Sequence, residues 1–192
     1  MDKDRVEWIL KETGVLMTGH FILTSGKHSS QYMQCAKIME YPNYSEELCK
    51  DLAKNFANDK IDLVVGPATG GIIVAYELAR QLKVKNMFAE RENGKMTFRR
   101  GFQINQGDRV VVAEDVITTG GSVQEVIELV KESGGEVIGV AVLVDRSMGK
   151  AVFEEKLFSS YKADIVTYEK DDCPLCKEGK LEAIKPGSRS LK

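Results

Sequence analysis

The stretch from Val110 to Ser122, VVVAEDVITTGGS, constrains the chain more than any other. Val110, Val111 and Val112 form an unbroken β-branched run with no polar residue alternating, which predicts a strand buried on both faces. Two adjacent carboxylates, Glu114 and Asp115, stand where that strand is expected to end. Thr118, Thr119, Gly120, Gly121 and Ser122 follow, and then Val123, Val126, Ile127 and Val130 recur at helical spacing up to Gly134 and Gly135. The hydroxyl- and glycine-rich turn therefore sits at a helix N-terminus. Glycines let backbone amides converge there, hydroxyls add donors, and the helix dipole favours negative charge, so the turn reads as an anion cradle. A helix start needs one capping residue; five small or hydroxyl residues beside paired acids exceed that need.

A second unit of the same kind lies upstream. Ile61 to Val65 is a short apolar strand, GPATGG (66–71) is a glycine-rich turn, and Ile72, Val74, Ala75, Leu78 and Ala79 open a helix. Both turns are expected at the carboxyl ends of parallel strands, where open α/β sheets bind ligands. Val84 to Ala89 reads as a third strand, Glu136 to Val144 as a fourth, and Ile165 to Tyr168 as an edge strand. This alternation predicts an α/β fold with a mostly parallel central sheet flanked by helices. The fourth strand is closed by Asp145, Arg146 and Ser147. An arginine at that end faces the shared ligand edge, and its planar fork suits a carboxylate; the competing reading is a cap paired with Asp145.

Before this core, residues 3–16 read as a short amphipathic helix closed by Gly14. Phe21 to Leu23 and Tyr32 to Met33 flank the turn Thr24-Ser25-Gly26-Lys27 as a hairpin. Pro42, Asn43 and Tyr44 break the chain, and Ser45 is expected to cap a helix carrying Leu48, Leu52 and Phe56. Residues 90–101 are polar and unpatterned, with Arg91, Lys95, Arg99 and Arg100, and read as a mobile basic loop that closes over a polyanion. The expected division is an N-terminal helix and hood over 1–45, an α/β core over 46–170 and a charged tail over 171–192.

That tail contains Cys173-Pro-Leu-Cys176, which is half a zinc site. Cys35 and Cys49 lie far upstream and are not paired with each other. Two tails meeting in a dimer would complete a four-cysteine site, but plain surface thiols are the expectation. No thioredoxin-like unit surrounds the pair, which argues against redox chemistry.

A net charge of −2 gives no electrostatic footprint for nucleic acid or an acidic membrane. With 43% hydrophobic and 29% charged residues, the 192-residue chain has the composition of a soluble globular protein of one domain with a small appendage. Its start, MDKDRVEW, shows no signal-peptide pattern, no apolar run approaches a membrane span, and a cytoplasmic location with reduced thiols is expected.

The EDVITTGGS wording (114–122) resembles the phosphoribosyl pyrophosphate (PRPP) motif of type I phosphoribosyltransferases. Together with the Ser25-Gly26-Lys27 turn and the Val144-Asp145-Arg146 step, it is similar to the orotate phosphoribosyltransferase family over roughly Gly19 to Ser147. The resemblance implies the type I phosphoribosyltransferase fold and transfer of phosphoribose from PRPP to orotate in pyrimidine synthesis. It implies Mg²⁺ held mainly through PRPP, with no direct protein ligand, and a homodimer. Glu114 and Asp115 would hold the ribose hydroxyls, and Thr118, Thr119, Gly120, Gly121 and Ser122 the 5′-phosphate. Val116 and Ile117 belong to the same PRPP-binding segment.

Ala68, Thr69 and Gly70 would form the pyrophosphate loop, with a cis peptide near Ala68-Thr69. Lys27 would reach PRPP from the hood; alone it reads as a solvated turn lysine, and the match of the residues around it favours substrate contact. Lys95 and Arg91 would be catalytic with Asp115, acting in the neighbouring subunit's site. Arg146 and Thr118 would bind orotate. The chain departs from the family pattern in the loop: Glu92 stands where many members have lysine and Thr97 where they have histidine, with Arg99 and Arg100 available as replacement charge. A purine-specific transferase and a PRPP-sensing regulator remain the rival readings.

Overall fold

The computed structural model describes residues 1–23 and 25–186. Its centre is a six-stranded sheet made of β3 (Leu63–Pro67), β4 (Lys85–Glu92), β5 (Lys95–Thr97), β6 (Arg109–Ile117), β7 (Glu136–Asp145) and β8 (Leu157–Lys162). The spatial order is β5-β4-β3-β6-β7-β8, parallel throughout except that β5 runs antiparallel to β4. β3 and β6 are neighbours, with Val64 beside Val111 and Val65 beside Val112.

Helices cover both faces. On one side α1 (Lys3–Glu12), α2 (Pro42–Ala53) and α3 (Gly70–Leu82) pack onto Val64, Val111, Ala113 and Ala141. On the other, Val123, Val126, Ile127 and Val130 of α4 (Gly121–Glu132) meet Val65, Val110, Val112 and Val140. Successive valines of β6 thus point into two different cores, which is why the run carries no polar alternation. Among the described residues no helix is long and apolar enough to cross a membrane.

A separate two-stranded antiparallel sheet joins β1 (Leu16–Ile22) to β2 (His28–Met33). Gly14, with φ of +68°, provides the left-handed exit from α1. The hairpin expected over 21–33 is present, although Thr24 of its turn lies outside the described residues. The C-terminal segment is laid against it: Phe21 bridges Ile184, His28 bridges Tyr168, and a short helix α5 (Pro174–Glu178) follows Cys173. The small sheet is therefore covered by chain from the far end of the sequence, while α1 packs into the main core. The last positions of the expected tail, 187–192, lie outside the described residues.

Four local expectations are corrected. The edge strand is β8 rather than 165–168, where Tyr168 makes only the isolated bridge to His28. Pro42 starts α2 instead of breaking the chain, since a first-turn proline surrenders no helical hydrogen bond. Ser45 does not cap that helix; its hydroxyl donates to the Ile38 carbonyl at 3.0 Å. The segment 90–101 contains a hairpin, because Asn93 and Gly94, with φ of 52° and 83°, form a two-residue turn that returns β5 along β4.

Candidate active site

Two strand-to-helix turns meet at the carboxyl edge of the sheet. β6 runs on through Ile117, past the expected end, so Glu114 and Asp115 project from the second half of the strand. The Asp115 amide donates to Glu114 Oε1 at 3.1 Å, and the Val116 amide donates to Asp115 Oδ1 at 2.9 Å. Glu114 is buried, and burial, followed by the charge of Asp115, pushes its pKa well above the usual carboxylate range. Burial raises Asp115 as well. Two acids so close, with little water, gain strongly from a hydroxyl donor or cation placed between them.

The neighbouring turn after β3 is shaped around this pair. A Cβ on Gly70 would stand 2.6 Å from Asp115 Cγ, and one on Gly71 would stand 3.0 Å from Glu114 Oε1. The nearby Gly71 backbone partly offsets the rise in the Glu114 pKa. The peptide between Ala68 and Thr69 is cis, as expected for this loop. Ala68, Thr69 and Gly70 are thus brought beside the carboxylates of the adjacent strand.

Beyond Ile117 the chain forms the turn expected to cradle an anion. A concavity is lined by Glu114, Val116 to Ser122, and Val123. Gly120 has φ of +81°, and a Cβ there would collide with Phe153 at 2.8 Å, so the turn accepts only glycine. α4 starts at Gly121 with no side-chain cap on Gly120; the Gly121 amide donates to Thr119 Oγ1 at only 3.5 Å, and Thr118, Thr119 and Ser122 are exposed. The Ile117 side chain is 2% exposed and belongs to the core, so that residue can offer a ligand only its backbone.

Arg146 follows β7, and its amide donates to the Ile117 carbonyl at 2.9 Å, which ties it to the start of the cradle. It is not a cap on Asp145: the Asp145 carboxylate accepts the Ser147 amide at 2.8 Å, and no carboxylate among the described residues pairs with the guanidinium. Cys35, which no motif marked, lies at the same edge. Its thiol is pushed up to about 12 by burial, with the charge of Asp115 adding and that of Arg146 opposing.

Three candidate residues stand apart. Lys27 pairs with Glu169 of the C-terminal segment at 2.8 Å. Arg91 pairs with Glu125 at 2.7 Å, and Lys95 lines a groove with Glu125, Glu128 and Glu132 along the flank of α4. Within one chain, then, neither Arg91 nor Lys95 joins the carboxylate pair or the cradle. Phe153, against which Gly120 packs, is a neighbour of the turn that sequence reasoning missed; Gly71 lay within the expected 66–71 turn, without its role beside Glu114.

The family model for the phosphoribosyl transferase domain matches residues 40–169. A protein of Caldanaerobacter subterraneus subsp. tengcongensis named orotate phosphoribosyltransferase is 58% identical over 191 residues, covering 100% of both chains. The chain belongs to the orotate phosphoribosyltransferase family. A relative of the same name from Thermotoga maritima is 53% identical over 187 residues, with 97% of this chain and 100% of that one covered. Among solved structures, orotate phosphoribosyltransferase from Aeropyrum pernix superposes with a TM-score of 0.67 at 30% identity, covering 82% of this chain and 93% of its own. Adenine phosphoribosyltransferase from Thermoanaerobacter pseudethanolicus, at 19% identity and a TM-score of 0.61 over 69% of this chain and 88% of its own, shares the fold alone. The architecture thus serves more than one base, and membership in the orotate family comes from the sequence relatives.

Proposed function

We propose that this protein transfers the phosphoribosyl group of PRPP to a ring nitrogen of orotate, releasing pyrophosphate and forming orotidine 5′-monophosphate for pyrimidine synthesis. The observation that carries the reading is the juxtaposition of three features on one sheet edge: the Glu114–Asp115 pair, the uncapped α4 turn, and Arg146, whose guanidinium pairs with no carboxylate among the described residues. A phosphorylated sugar with a carboxylate-bearing base matches that order of charges.

In this reading the reacting bond is the one from ribose C1 to pyrophosphate. It breaks as the orotate nitrogen attacks, so positive charge grows on the sugar and negative charge on the leaving group. No protein nucleophile is required, and the residues act by positioning and electrostatics. Glu114 and Asp115 accept hydrogen bonds from the ribose hydroxyls. Thr118, Thr119 and Ser122, with the amides of Gly120 and Gly121, hold the 5′-phosphate at the helix N-terminus. The Ala68-Thr69-Gly70 backbone faces the pyrophosphate. Arg146 pairs with the orotate carboxylate, and Thr118 sits beside the base.

The Glu114–Asp115 pair offers carboxylate oxygens, which fit a hard cation such as Mg²⁺. It would be carried in on the pyrophosphate and ribose oxygens, with Glu114 and Asp115 beside it. Its contribution is neutralisation of the leaving charge. Closing the site against water suppresses hydrolysis of PRPP. We assign that closure to the β4–β5 hairpin of a second copy, bringing Arg91 and Lys95 into the neighbouring site of a homodimer. The placement of both residues on the α4 flank of their own chain supports this assignment.

The test is an absorbance assay with Mg²⁺ and PRPP, offering orotate, uracil, hypoxanthine and adenine in turn. Turnover with orotate alone is expected. Turnover with a purine would overturn the base assignment, and PRPP binding without turnover would mark a regulator.

A further inference from the structure

The Cys173-Pro-Leu-Cys176 half-site finds its other half within the same chain. His20 in β1, His28 at the start of β2, Cys173 and Cys176 place their ligand atoms all within 4.8 Å of one another. His20 Nε2 lies 3.6 Å from Cys173 Sγ and 3.7 Å from Cys176 Sγ, and Cys176 Sγ lies 3.3 Å from His28 Nδ1. A tetrahedral ion with metal–sulfur bonds of about 2.3 Å and metal–nitrogen bonds of about 2.0–2.1 Å has an S···N edge of about 3.6 Å. The three observed separations scatter around that edge. The His20–His28 nitrogen separation of 2.8 Å is shorter; the corresponding N···N edge is roughly 3.3 Å, which a small ring rotation supplies.

The protonation of the cluster points the same way. His20 Nδ1 lies 3.1 Å from the Leu181 carbonyl, which can only accept, so the ring carries its proton on Nδ1. Its Nε2 lone pair is then directed at the two sulfurs and His28. A backbone carbonyl on the far nitrogen is the usual outer partner that orients a metal-bound imidazole. His20 is 3% exposed, His28 4% and Cys173 0%, and Cys176 closes the exposed corner. Two buried rings and two thiols converging without a carboxylate form a soft S₂N₂ donor set, which selects zinc over the hard Mg²⁺ of the catalytic edge.

From this geometry we propose that His20, His28, Cys173 and Cys176 bind one structural Zn²⁺ that staples the C-terminal segment to the N-terminal hairpin. Four protein ligands leave no open position, so the ion has no catalytic role. Its task follows from what it joins. An isolated two-stranded hairpin is marginal in water, and this one is held by ligands 148 residues apart in the chain. His28 directly follows Lys27, whose ammonium pairs with Glu169 on the same C-terminal segment. The ion therefore also sets where the Ser25-Gly26-Lys27 turn stands. Of the two surface thiols expected from sequence, Cys173 is buried instead, and only Cys176 is exposed. The second pair of ligands was not legible as such, because the two histidines are spaced for a hairpin and not for a zinc finger.

The experiment uses the full untagged chain purified from zinc-supplemented cells without chelator. Elemental analysis is expected to return close to one zinc per chain, with no Cys173–Cys176 disulfide in the intact mass. Cys176→Ser, at the exposed corner, is expected to lose most of that zinc, whereas Cys49→Ser, buried in α2, keeps it. Cobalt-loaded protein is expected to show the intense visible bands of a four-coordinate site and a near-ultraviolet thiolate band that weakens in Cys176→Ser. Metal-free protein that gains no melting temperature on adding Zn²⁺ would overturn the proposal. So would zinc retained in full by both Cys176→Ser and His28→Ala, or a disulfide in the native protein.

Discussion

Gly70 faces the carboxylate of Asp115 so closely that a Cβ at position 70 would stand 2.6 Å from Asp115 Cγ and 2.7 Å from both of its oxygens. Space for the acid on β6 is made by an absent side chain on the neighbouring turn. Gly70→Ala must therefore push the carboxylate aside while leaving both cores intact. A misplacement of about 1 Å at a positioned group costs up to roughly 100-fold. The expected outcome is a loss of about 10- to 100-fold in kcat/KM for PRPP with a melting temperature within a few degrees of the parent. An unchanged kcat/KM would show that Asp115 does not position the sugar.

Glu114 gives a prediction in pH. Burial, and then the charge of Asp115, raises its pKa above the ordinary value of 4.5. The folded chain thus holds a proton that the unfolded chain releases, and between the two pKa values the folded state binds more protons. Stability from this group is full below the unfolded value and is lost as pH rises through the folded one. Glu114→Gln has no such proton. Its melting temperature is expected to gain on the parent as pH is raised from about 5 to about 8, by a few degrees. Thermal melts across that range check it, and parallel curves would show that Glu114 is not held protonated. In the proposed reading activity should fall by roughly 10-fold, since the amide keeps one accepting oxygen but puts an NH₂ donor where the second carboxyl oxygen faced the ribose.

Much of this edge is legible in sequence, and the reason is local. The valine run, the paired acids, the hydroxyl turn and the helical spacing after it are contiguous, so strand, cradle and helix follow from neighbours within about fifteen residues. The cis Ala68-Thr69 peptide was expected from the family resemblance and not from the residues themselves. What failed depended on partners far along the chain. Residues 157–162 form the sixth strand because β7 offers an open edge, while 165–168 makes only an isolated bridge, from Tyr168 to His28, and a contact from the Ser29 hydroxyl to the Val166 carbonyl. Lys27 reads as a free turn cation until Glu169 folds back onto it. The hairpin over 90–97 was the exception: its Asn93-Gly94 turn signal was present in the sequence and was masked by the surrounding charges.

In the proposed reading Arg146 binds the base and not the sugar phosphate. Its backbone is fixed to Ile117, but its guanidinium has no carboxylate partner among the described residues. A charge-assisted contact to orotate contributes about 1.5–3 kcal/mol, so Arg146→Ala is expected to raise the KM for orotate roughly 10- to 100-fold. The KM for PRPP should change by less than about threefold, because the cradle and acids are untouched. Initial rates with each substrate varied in turn decide it. Equal losses for both substrates would remove Arg146 from base recognition.

Arg91 and Lys95 test the assembly. Both sit along α4 of their own chain, with Arg91 held to Glu125 at 2.7 Å, whereas Asp115 lies on the sheet edge. If the hairpin acts in the partner's site, each site of a dimer takes Asp115 from one copy and Lys95 from the other. Lys95→Ala and Asp115→Asn homodimers are then both nearly inactive. A mixed dimer, however, contains one site with both residues intact. Random reassortment of equal amounts puts half the chains in mixed dimers, so recovery of up to about a quarter of the parental activity is expected. The measurement is activity after co-expression or after mixing through mild denaturant, with the heterodimer isolated by two different affinity tags. No recovery in isolated heterodimers would place Lys95 in its own chain's site and require the β4–β5 hairpin to swing away from α4 to reach it.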